Sequence, residues 1–405
     1  MQKSTRVLAF LALSLSGMPQ VEAGNVYQFT RVATVTGANG GRFWAPVVND
    51  SGMVAYSADA GIFRGGGSGA PSLVADTIHA FRASISMNNA GRLSYSRSFP
   101  EYRDRSALML DQGSKSQTLM IEDDLTAGIS ASSINELGSV VTGLSSQHDS
   151  IRGIYLSQNG QSAGRIYGPG GGIRHFGTDP VINDRSQIAF WAQGEIAPGG
   201  ALVLGDTSGA APTVLFRASD LALTPTEQSG IGNGYDLNDR GQVAFLTSTF
   251  DRLGGPTRYG VHVASAGAVA TIATFVSDLA GFSDHSIALN DSGSLAFYFA
   301  IDGLGGIYTG GDLLADKVIR DGDRLDGGRV FGLRFGRFGL NERGQLAFHA
   351  TIIGDDGVVR DGIYLATPVN GVPEPSTRAG LGVGLVAASI ALGRRRAINP
   401  NYKKM

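Results

Sequence analysis

Short apolar runs alternate with polar turns along most of the chain, and one pattern of eight residues recurs. Its clearest copy runs from Asn238 to Phe245 and reads Asn-Asp-Arg-Gly-Gln-Val-Ala-Phe. Asn and Asp adopt turn conformations readily, and Gly accepts a positive φ without a steric penalty. Gln-Val-Ala-Phe then follows the period of two that is typical of a strand. The pattern therefore predicts a tight turn that opens a β-strand.

Seven copies of this pattern divide the chain into units of similar length. They begin at Asn49, Asn88, Asn135, Asn183, Asn238, Asn290 and Asn341. Successive asparagines are 39, 47, 48, 55, 52 and 51 residues apart, a spacing typical of propeller blades. Each unit has an apolar run before the asparagine, another that begins 12 to 22 residues after it and, in six units, a further one. Together with the motif strand, these runs predict four-stranded blades.

The seventh unit lacks a fourth strand because Pro368 and the segment around Pro373 follow Ile363–Ala366 directly. The stretch Phe29–Val35 has a strand pattern and no blade of its own. We expect it to complete the last blade and close the ring, which removes sheet edges that invite aggregation. The alternative, an open solenoid, needs capping units that neither end of the chain resembles. The sequence therefore predicts an all-β fold, a seven-bladed propeller over residues 24–367.

The apolar positions of the motif predict how neighbouring blades pack. Because each blade is covered on both faces, both sides of its strands are buried. We expect Val243 and Phe245 to fill one layer between blades, and the small Ala244 to let the blade on the other side approach. Complete burial of a Phe or Val side chain contributes ~1.5–3 kcal/mol, so the repeated motif is expected to dominate the core.

Composition agrees with this fold and excludes several kinds of site. Apolar residues make up 42% of the chain and charged residues 17%, as in globular proteins. The 59 glycines are about twice the average share, as many tight turns require. The absence of cysteine excludes disulfides, thiolate zinc sites, iron–sulfur clusters and a cysteine nucleophile, and it leaves the redox compartment open.

Charge is distributed unevenly between the ends and the body of the chain. Of the 33 basic residues eight lie in residues 1–23 and 372–405, together with only two of the 35 acidic residues. The body therefore carries a formal charge of about −8, although the whole chain carries −2. An acidic body binds polyanions poorly, so we expect no nucleic-acid partner.

Residues 1–23 have the features of a secretory signal peptide. Lys3 and Arg6 precede a short apolar run, and small or apolar residues stand just before Gly24. This arrangement predicts cleavage between Ala23 and Gly24. The alternative, a first buried helix, is disfavoured because no amphipathic pattern follows it.

The C-terminal residues divide into a linker, a short apolar segment and a tail. Residues 368–378 form the linker, and its prolines keep it out of helix interiors and central strands. Residues 379–396 combine an apolar run with an arginine cluster, and residues 397–405 follow as a tail. The run is shorter than the ~20 residues that span a bilayer comfortably. We expect a temporary membrane contact with the arginines on the cytoplasmic side; an ordinary transmembrane helix is the alternative.

This C-terminal arrangement resembles the PEP-CTERM sorting signal. The residues that carry the resemblance are Pro373, Glu374 and Pro375, the apolar run, and Arg394, Arg395 and Arg396. The resemblance implies an exported bacterial protein handled by an exosortase-type enzyme and bound for the cell surface or an exopolysaccharide matrix. Two departures from the signal are an apolar run poor in leucine and the extension from Ala397 to Met405.

The repeated motif is similar to the tandem Asn-x-x-Gly-x-x-Ala-Phe repeats of bacterial exported proteins with C-terminal anchors. This resemblance spans residues 25–367 and implies a surface protein without a defined activity. The first three copies depart from it within the last two positions, and the fourth has Ser186 in place of glycine. Local turn geometry in these copies is therefore left open.

Carboxylates make two kinds of segment candidates for cation binding. Oxygen ligands at alternate positions, as in Asn-Asp-x-Gly, can build a Ca²⁺ loop, but each turn has at most one Asp or Glu, which favours simple turn chemistry. Asp321, Asp323 and Asp326 are the better candidates, since three carboxylates lie within six residues. The alternative is an acidic solvated loop. We expect no defined metal site and no cofactor.

Four histidines fall in connections that a propeller places on one face: His79, His148, His175 and His285. His175 and His285 are therefore candidate ligand-binding residues beside the aspartates. A catalytic or zinc site built from these histidines is the alternative, although their blades lie far apart around the ring. The run Gly168–Gly172 lacks the strand, helix and Lys-Ser/Thr context of a phosphate loop, so we interpret it as an inter-strand loop.

Together these patterns predict an exported propeller, transiently in contact with the inner membrane during sorting. We expect a non-catalytic structural or ligand-binding protein without catalytic residues. Its expected partners are the export machinery, an exosortase-type sorting enzyme, and a polysaccharide, cation or surface protein as ligand. The alternative is an extracellular polysaccharide hydrolase or lyase with its site on the loop face.

Overall fold

The seven motif turns are arranged in a ring, each at the inner edge of its own antiparallel sheet. A computed structural model describes residues 27–369 apart from 37–44, 59, 67–69, 77–84, 100–104, 123–126, 178, 222–223, 225, 278–280 and 282–285. Within these residues the chain is all-β apart from a short 3-10 helix at Ala218–Leu221. The sheets are the blades of a seven-bladed β-propeller, so the predicted fold is confirmed.

The strands of blades 1 to 3 follow the predicted order from the inner edge outwards. The chain begins with β1 (Tyr27–Thr36), which belongs to the last blade. Blade 1 contains β2 (Val47–Val48), β3 (Val54–Ala58), β4 (Gly61–Gly65) and β5 (Ser72–Ala75). Blade 2 contains β6 (Ile85–Met87), β7 (Leu93–Phe99), β8 (Arg105–Asp111) and β9 (Ser116–Glu122). Blade 3 contains β10 (Gly128–Ile134), β11 (Val140–Ser145), β12 (Gly153–Ser157) and β13 (Gly164–Tyr167).

Blades 4 to 7 continue this order, and the inner strands of blades 4, 5 and 7 are longer or interrupted. Blade 4 contains β14 (Ile173–Phe176), β15 (Val181–Ile182), β16 (Gln187–Gly194), β17 (Ala201–Asp206) and β18 (Thr213–Arg217). Blade 5 contains β19 (Glu227–Leu237), β20 (Val243–Asp251), β21 (Thr257–Ser265) and β22 (Ala268–Ser277). Blade 6 contains β23 (Ile287–Leu289), β24 (Leu295–Ile301), β25 (Leu304–Tyr308) and β26 (Lys317–Arg320). Blade 7 contains β27 (Arg324–Leu325), β28 (Gly328–Arg334), β29 (Leu346–Gly354) and β30 (Val359–Pro368), with β1 outermost.

Two sheets have five strands rather than four. In blade 4 both β14 and β15 pair with β16, because the inner strand is interrupted between them. In blade 7 a tight hairpin adds the two-residue β27 beside β28. Each blade therefore keeps four main strand positions, and the extra strands result from interruptions of the inner strand or from additions to it.

The N-terminal strand closes the ring as predicted. β1 pairs antiparallel with β30, with Phe29 opposite Ala366 and Thr30 opposite Leu365. An ion pair of 2.7 Å between Arg31 Nη1 and Asp326 Oδ2 links β1 to the turn between β27 and β28. The outermost strand of blade 7 thus comes from the opposite end of the chain, and closure leaves no blade without neighbours on both sides.

The core lies between the blades, and the motif side chains alternate between its layers. Val243 and Phe245 are fully buried in the layer that blade 5 shares with blade 4. Ala244 points to the other side and is buried against Phe297 and Leu295 of blade 6. This alternation confirms the predicted packing of the motif.

Each motif asparagine holds its own turn and the next blade at the same time. In blade 5, Asn238 Oδ1 accepts hydrogen bonds from the backbone N–H groups of Arg240 at 3.1 Å and Gln242 at 3.0 Å. Its Nδ2 donates to the backbone carbonyl of Asn290 in blade 6 at 2.9 Å. The seventh asparagine, Asn341, donates to the carbonyl of Asn49 at 2.8 Å, which completes the circle.

All seven asparagines make the same contact with the next blade. The donor–acceptor pairs are Asn49–Asn88 at 3.4 Å, Asn88–Asn135 at 3.2 Å, Asn135–Asn183 at 2.9 Å, Asn183–Asn238 at 2.9 Å, Asn238–Asn290 at 2.9 Å, Asn290–Asn341 at 3.1 Å and Asn341–Asn49 at 2.8 Å. We call this closed circle of side-chain to carbonyl bonds the asparagine ring. It explains why the asparagine recurs where a turn alone tolerates several residue types.

The residue after each asparagine forms a second closed circle. Its side chain accepts a hydrogen bond from the backbone N–H of the corresponding residue in the preceding blade. The acceptors around the circle are Asn89, Glu136, Asp184, Asp239, Asp291, Glu342 and Asp50. We call this circle the acidic ring. Burial raises the pKa values of Glu136, Asp239, Asp291 and Glu342 from their ordinary range.

The fourth copy keeps the turn geometry without its glycine. Gly241 in the fifth copy has a φ of 74°, and Ser186 adopts a φ of 61° at the equivalent position. The N–H of Ser186 donates to the carbonyl of Asn183 at 3.1 Å, as glycine does in the other turns. A non-glycine residue is therefore held in the left-handed region by the surrounding contacts.

The predictions for both chain ends concern residues outside the described ranges. These are the signal peptide of residues 1–23 with its cleavage site, and the sorting segment with its proline and arginine motifs. His79 and His285 also fall outside them. No helix within the described residues is long and apolar enough to cross a membrane.

Candidate functional site

The two faces of the propeller are built from different connections. The motif turns join the first and second strands of each blade, so they lie together on what we call the motif face. The connections from second to third strand, and from fourth strand to the next blade, lie at the opposite ends of the strands. We call that side the loop face. Its connections vary in length and sequence, whereas the motif turns repeat.

The central channel, where a propeller could take a ligand, is blocked in this chain. The inner strand of blade 7 is interrupted after Arg334, and Phe335–Leu340 enters the channel. Phe338 packs against the cores of blades 1 and 2 and against those of blades 4 and 5. Arg337 is buried, its Nη1 donates to the carbonyl of Asp179 at 2.9 Å, and its guanidinium lies 5.2 Å from the Tyr235 ring centre. We call Phe335–Leu340 the channel plug.

A buried carboxyl accompanies the plug. Asp236 accepts hydrogen bonds from the N–H groups of Leu289 and Leu237, both at 2.9 Å. Burial raises the pKa of Asp236 to about 7, while these two bonds and the charge of Arg337 act in the opposite direction. Since these groups are enclosed and hydrogen-bonded within the protein, they hold blades together rather than face a ligand.

An open cleft lies on the loop face between blades 3 and 4. Its volume is about 340 Å³, and it is lined by Asp149, Arg152, Pro169, Gly170, Gly172, Ile173, Arg174, His175 and Glu195. Three connections meet there: the one between β11 and β12, the one between β13 and β14, and the one between β16 and β17. We call it the loop-face cleft. Its size falls at the lower end of the range for small-ligand sites.

Arg152 is the most firmly held charged side chain of the cleft. Only 18% of it is exposed, and its Nε donates to the carbonyl of Ser146 at 2.7 Å. Its Nη1 lies 3.3 Å from Asp149 Oδ1 and 3.4 Å from the carbonyl of Arg174. Because the Asp149 side chain is 73% exposed, the nearest carboxylate partner of this arginine sits in solvent. The guanidinium is thus fixed in place, with a counter-ion that a ligand could displace.

His175 contacts the same guanidinium. Arg152 Nη1 lies 3.3 Å from His175 Nδ1, and a guanidinium has no acceptor atom. Nδ1 must therefore accept, and the proton of the neutral imidazole resides on Nε2. Beside it, Arg174 and Glu195 form an exposed ion pair of 2.9 Å at the rim.

The glycine run shapes one wall of the cleft. Gly170, Gly171 and Gly172 have φ values of 143°, 56° and 83°, so three successive residues occupy conformations that favour glycine. A Cβ on Gly172 would lie 2.7 Å from Ile196 Cγ2, so a larger residue does not fit there. The run interpreted from sequence as an inter-strand loop is therefore a specific wall of the cleft.

The chemistry of the cleft suits a polar ligand. Two arginines and an imidazole supply donors, and two carboxylates supply acceptors, with formal charges that balance when the histidine is neutral. Such paired donors and acceptors match the hydroxyl and carboxyl groups of saccharides better than an apolar molecule. In the described part of the chain, no group of three or more His, Asp or Glu side chains could hold a metal ion.

The predicted aspartate loop does not gather its carboxylates. Asp321 Oδ2 accepts from the N–H of Gly305 at 2.8 Å. Asp323 forms an ion pair of 3.0 Å with Lys317. Asp326 contacts Arg31 at 2.7 Å and the hydroxyl of Tyr364 at 3.1 Å. Each carboxylate is thus engaged by its own protein donors, and Asp326 serves ring closure.

The structure brings together only part of the predicted histidine group. His175 lies in the loop-face cleft, and His148 lies in the connection that carries Arg152. His262 is buried between Thr247 at 2.8 Å and Thr271 at 3.1 Å, as a core residue. His349 is buried beside Asp361 at 3.0 Å.

Sequence reasoning missed the charged residues of the cleft. Asp149 and Arg152 lie in the connection between β11 and β12, Arg174 lies in β14 and Glu195 follows β16, and no motif links them. The available signal was indirect. Arg152 and Arg174 stand before and after the glycine run, in segments that the sequence assigned to the loop face. The proximity of His175 to Arg152 depends on how blades 3 and 4 pack.

Comparisons with known proteins agree with the fold. The model of a family described as "Family of unknown function (DUF7453)" matches residues 33–383. None of the curated proteins compared with the chain matches it in sequence. An oligogalacturonate lyase in complex with manganese superposes with a TM-score of 0.50 at 12% identity, over 85% of this chain and 98% of that chain.

Two further solved structures illustrate the range of propellers that resemble it. An ulvan lyase of family PL25 has a TM-score of 0.46 at 10% identity, over 86% of this chain and 98% of that chain. A lectin from Aleuria aurantia has a TM-score of 0.37 at 10% identity, over 73% of this chain and 97% of that chain. At such identities the likeness concerns the propeller fold alone.

Proposed function

The chain belongs to the family of unknown function DUF7453, and from this starting point we propose that it is an exported, surface- or matrix-associated propeller that binds a saccharide without cleaving it. The ligand contacts the loop-face cleft. The single observation that carries this proposal is the cleft itself, with Arg152 held by Ser146 and its Nη1 in contact with Asp149 and His175.

Export and sorting are part of the proposal. They rest on the signal-peptide pattern of residues 1–23 and on the Pro373-Glu374-Pro375 segment followed by an apolar run and three arginines. The partners are then the export machinery and an exosortase-type enzyme, with temporary membrane contact through residues 379–396. Mass spectrometry of the protein isolated from its cells tests the proposed export and sorting. A mature chain that begins at Gly24 and lacks the arginine cluster supports it, and an intact chain of 405 residues in the cytosol contradicts it.

A saccharide fits the cleft for two physical reasons. The charged groups form two pairs, Arg152 with Asp149 and Arg174 with Glu195, so the cleft offers both donors and acceptors without a large net charge. The arginine is already ordered by the protein, so little side-chain freedom is lost on binding. A flat acidic surface would lack both features.

A binding assay with matched variants tests the cleft. We expect the full chain to bind members of a panel of neutral and uronate-containing polysaccharides. The double variant Arg174→Ala, His175→Ala should lower affinity at least tenfold, because it removes two exposed polar side chains of the cleft. Arg343→Ala, an exposed arginine on the motif face, is the control and should bind like the wild type. Equal binding by all three proteins would exclude the cleft.

The same assay distinguishes the second candidate, a polysaccharide hydrolase or lyase. The observation that favours it is the imidazole of His175 at 3.3 Å from Arg152, because the imidazole can exchange a proton while the guanidinium holds a bound anion. Release of reducing ends, or of unsaturated sugar ends, that is lost in His175→Ala would replace the non-catalytic proposal. Binding without either product supports it.

A further inference from the structure

Among the strands that the structure describes, the outermost one of each blade has one edge without a partner strand. Such edges can pair with another chain, and proteins commonly protect them with charged residues or keep them short. Within the described residues, the seven outer strands of this propeller differ in how they are protected.

Six of the outer strands follow this practice. Their protecting features are the four-residue length of β5, Glu122 in β9, Arg165 in β13, Arg217 in β18, Lys317 and Arg320 in β26, and Arg31 in β1. The exception is β22, the outer strand of blade 5. It has ten residues, Ala268–Ser277, and contains neither a charged residue nor a proline.

β22 is firmly attached to its blade and exposed on its outer side. It pairs with β21 along its whole length, from Thr257 opposite Ser277 to Ser265 opposite Ala268. Phe275 anchors it in the core, where its ring stacks on that of Phe299 at 4.3 Å. Val269 and Val276 remain 40% and 59% exposed.

The exposed side chains of β22 form a symmetric row. Val269, Thr271, Thr274 and Val276 lie opposite Ala264, His262, Gly260 and Arg258 of β21, which alternate along that strand. They therefore share one face of the sheet. The bulge at Ile272 adds one residue to β22, which places Thr274 and Val276 on the same face as Val269 and Thr271. The row reads Val, Thr, Thr, Val from either end.

We propose that β22 pairs antiparallel with β22 of a second copy of this chain, about a twofold axis near the middle of the strand. In that register Val269 of one copy lies opposite Val276 of the other, and Thr271 lies opposite Thr274. The two four-stranded blades become one eight-stranded sheet. A self-complementary patch of this kind is what a twofold dimer requires.

The symmetry of the row selects a second copy over another partner. The body of the chain is acidic, so two copies repel one another over most of their surfaces and can associate only through a contact without like charges. β22 offers a long edge without charged side chains, and self-pairing places no like charges opposite each other. A partner of opposite charge would gain nothing from this strand. The row of valine and threonine is instead complementary to the same row running in the opposite direction.

A charge-swap experiment on the full chain tests this dimer. The wild type should sediment as a concentration-dependent dimer in analytical ultracentrifugation. Val269→Lys with Val276→Lys places lysines opposite lysines, and should weaken dimerisation at least tenfold. Val269→Glu with Val276→Glu should do the same alone, and an equimolar mixture of the two variants should restore a heterodimer. Local unfolding of the strand would not be rescued in this way.

A control variant separates the strand from other surfaces. Leu73→Lys adds a charge to the outer strand β5, where Leu73 is 56% exposed, and should leave dimerisation unchanged. A wild type that stays monomeric up to about 100 µM would overturn the proposal. A dimer that persists in the lysine variant would also overturn it, since association would then use a different surface.

Discussion

The motif face and the loop face are made by the same seven blades, yet they are built in opposite ways. On the motif face every blade repeats one asparagine and one acceptor, and both close into rings. On the loop face no connection repeats, and the cleft combines side chains from three of them. The repeated face holds the fold together, which leaves the other free to vary. Substitutions on the two faces should therefore differ in what they change.

The largest effect is expected in the core layer that the motif creates. Phe245→Ala should lower the free energy of unfolding by about 3–5 kcal/mol, because a fully buried ring leaves a cavity between blades 4 and 5. Urea denaturation measures it. Phe250→Ala on the same strand, 44% exposed, is the control and should cost less than about 1 kcal/mol. Similar losses for both variants would contradict the proposed layer.

Opening the asparagine ring should have the next largest effect. Asn238→Ala leaves two turn N–H groups and the carbonyl of Asn290 without their partner, at a cost of about 2–3 kcal/mol. Gln112→Ala, an exposed amide in a turn between outer strands, serves as the comparison in the same denaturation series. A loss below about 0.5 kcal/mol would mean that ring closure adds nothing to stability.

The serine in the fourth turn should respond in the opposite direction. Ser186→Gly relieves a left-handed residue and should raise stability by about 0.5–1 kcal/mol. The gain appears as a higher melting temperature. The reverse change, Gly241→Ser in the fifth turn, should lower it. Loss of stability in Ser186→Gly would show that the serine side chain itself contributes.

The acidic ring predicts a small effect that depends on pH. Burial raises the pKa of Asp291 above its ordinary value of 3.8, so ionisation is disfavoured in the folded state. The contribution of Asp291 to the stability of the fold is therefore most favourable at low pH, where the carboxyl is protonated. It is lost as the pH rises above 3.8 and through the raised pKa of the folded state. Asp291→Asn keeps the acceptor, as Asn89 does in blade 2, and removes the charge. The variant should gain stability relative to wild type between pH 4 and 7, and a constant difference would contradict this.

The smallest effect is expected on the loop face. Arg174→Ala should change the free energy of unfolding by less than about 0.5 kcal/mol, since its ion pair with Glu195 is exposed on both sides. The same variant is expected to weaken ligand binding. A large loss of stability would contradict the view that loop-face residues contribute little to the stability of the fold.

Most of the fold follows from local patterns that the chain repeats. The turn at Asn238, the period-two strand after it and the unpaired stretch Phe29–Val35 were sufficient to predict seven closed blades. Each of these features depends on neighbours in sequence or on simple counting. The asparagine was interpreted only as a turn residue, because its second role requires the adjacent blade.

The channel plug and the cleft could not be predicted in the same way. Arg337 reaches Asp179, 158 residues away in sequence, only because the inner strand of blade 7 is interrupted at Phe335. The cleft likewise depends on how three unrelated connections meet. Of the predicted ligand residues, the structure places His175 there, whereas the carboxylates of Asp321, Asp323 and Asp326 are spread among different partners.

The pairing of β1 with β30 also dictates when the molecule can mature. A ribosome delivers Tyr27 among the first residues and Pro368 only after the last blade has been made. Until then, β1 has no partner strand, and the ring of blades stays open. A chain that stops before Val359 lacks β30 and cannot close the ring. Synthesis of nearly the full polypeptide is therefore a precondition for the native state.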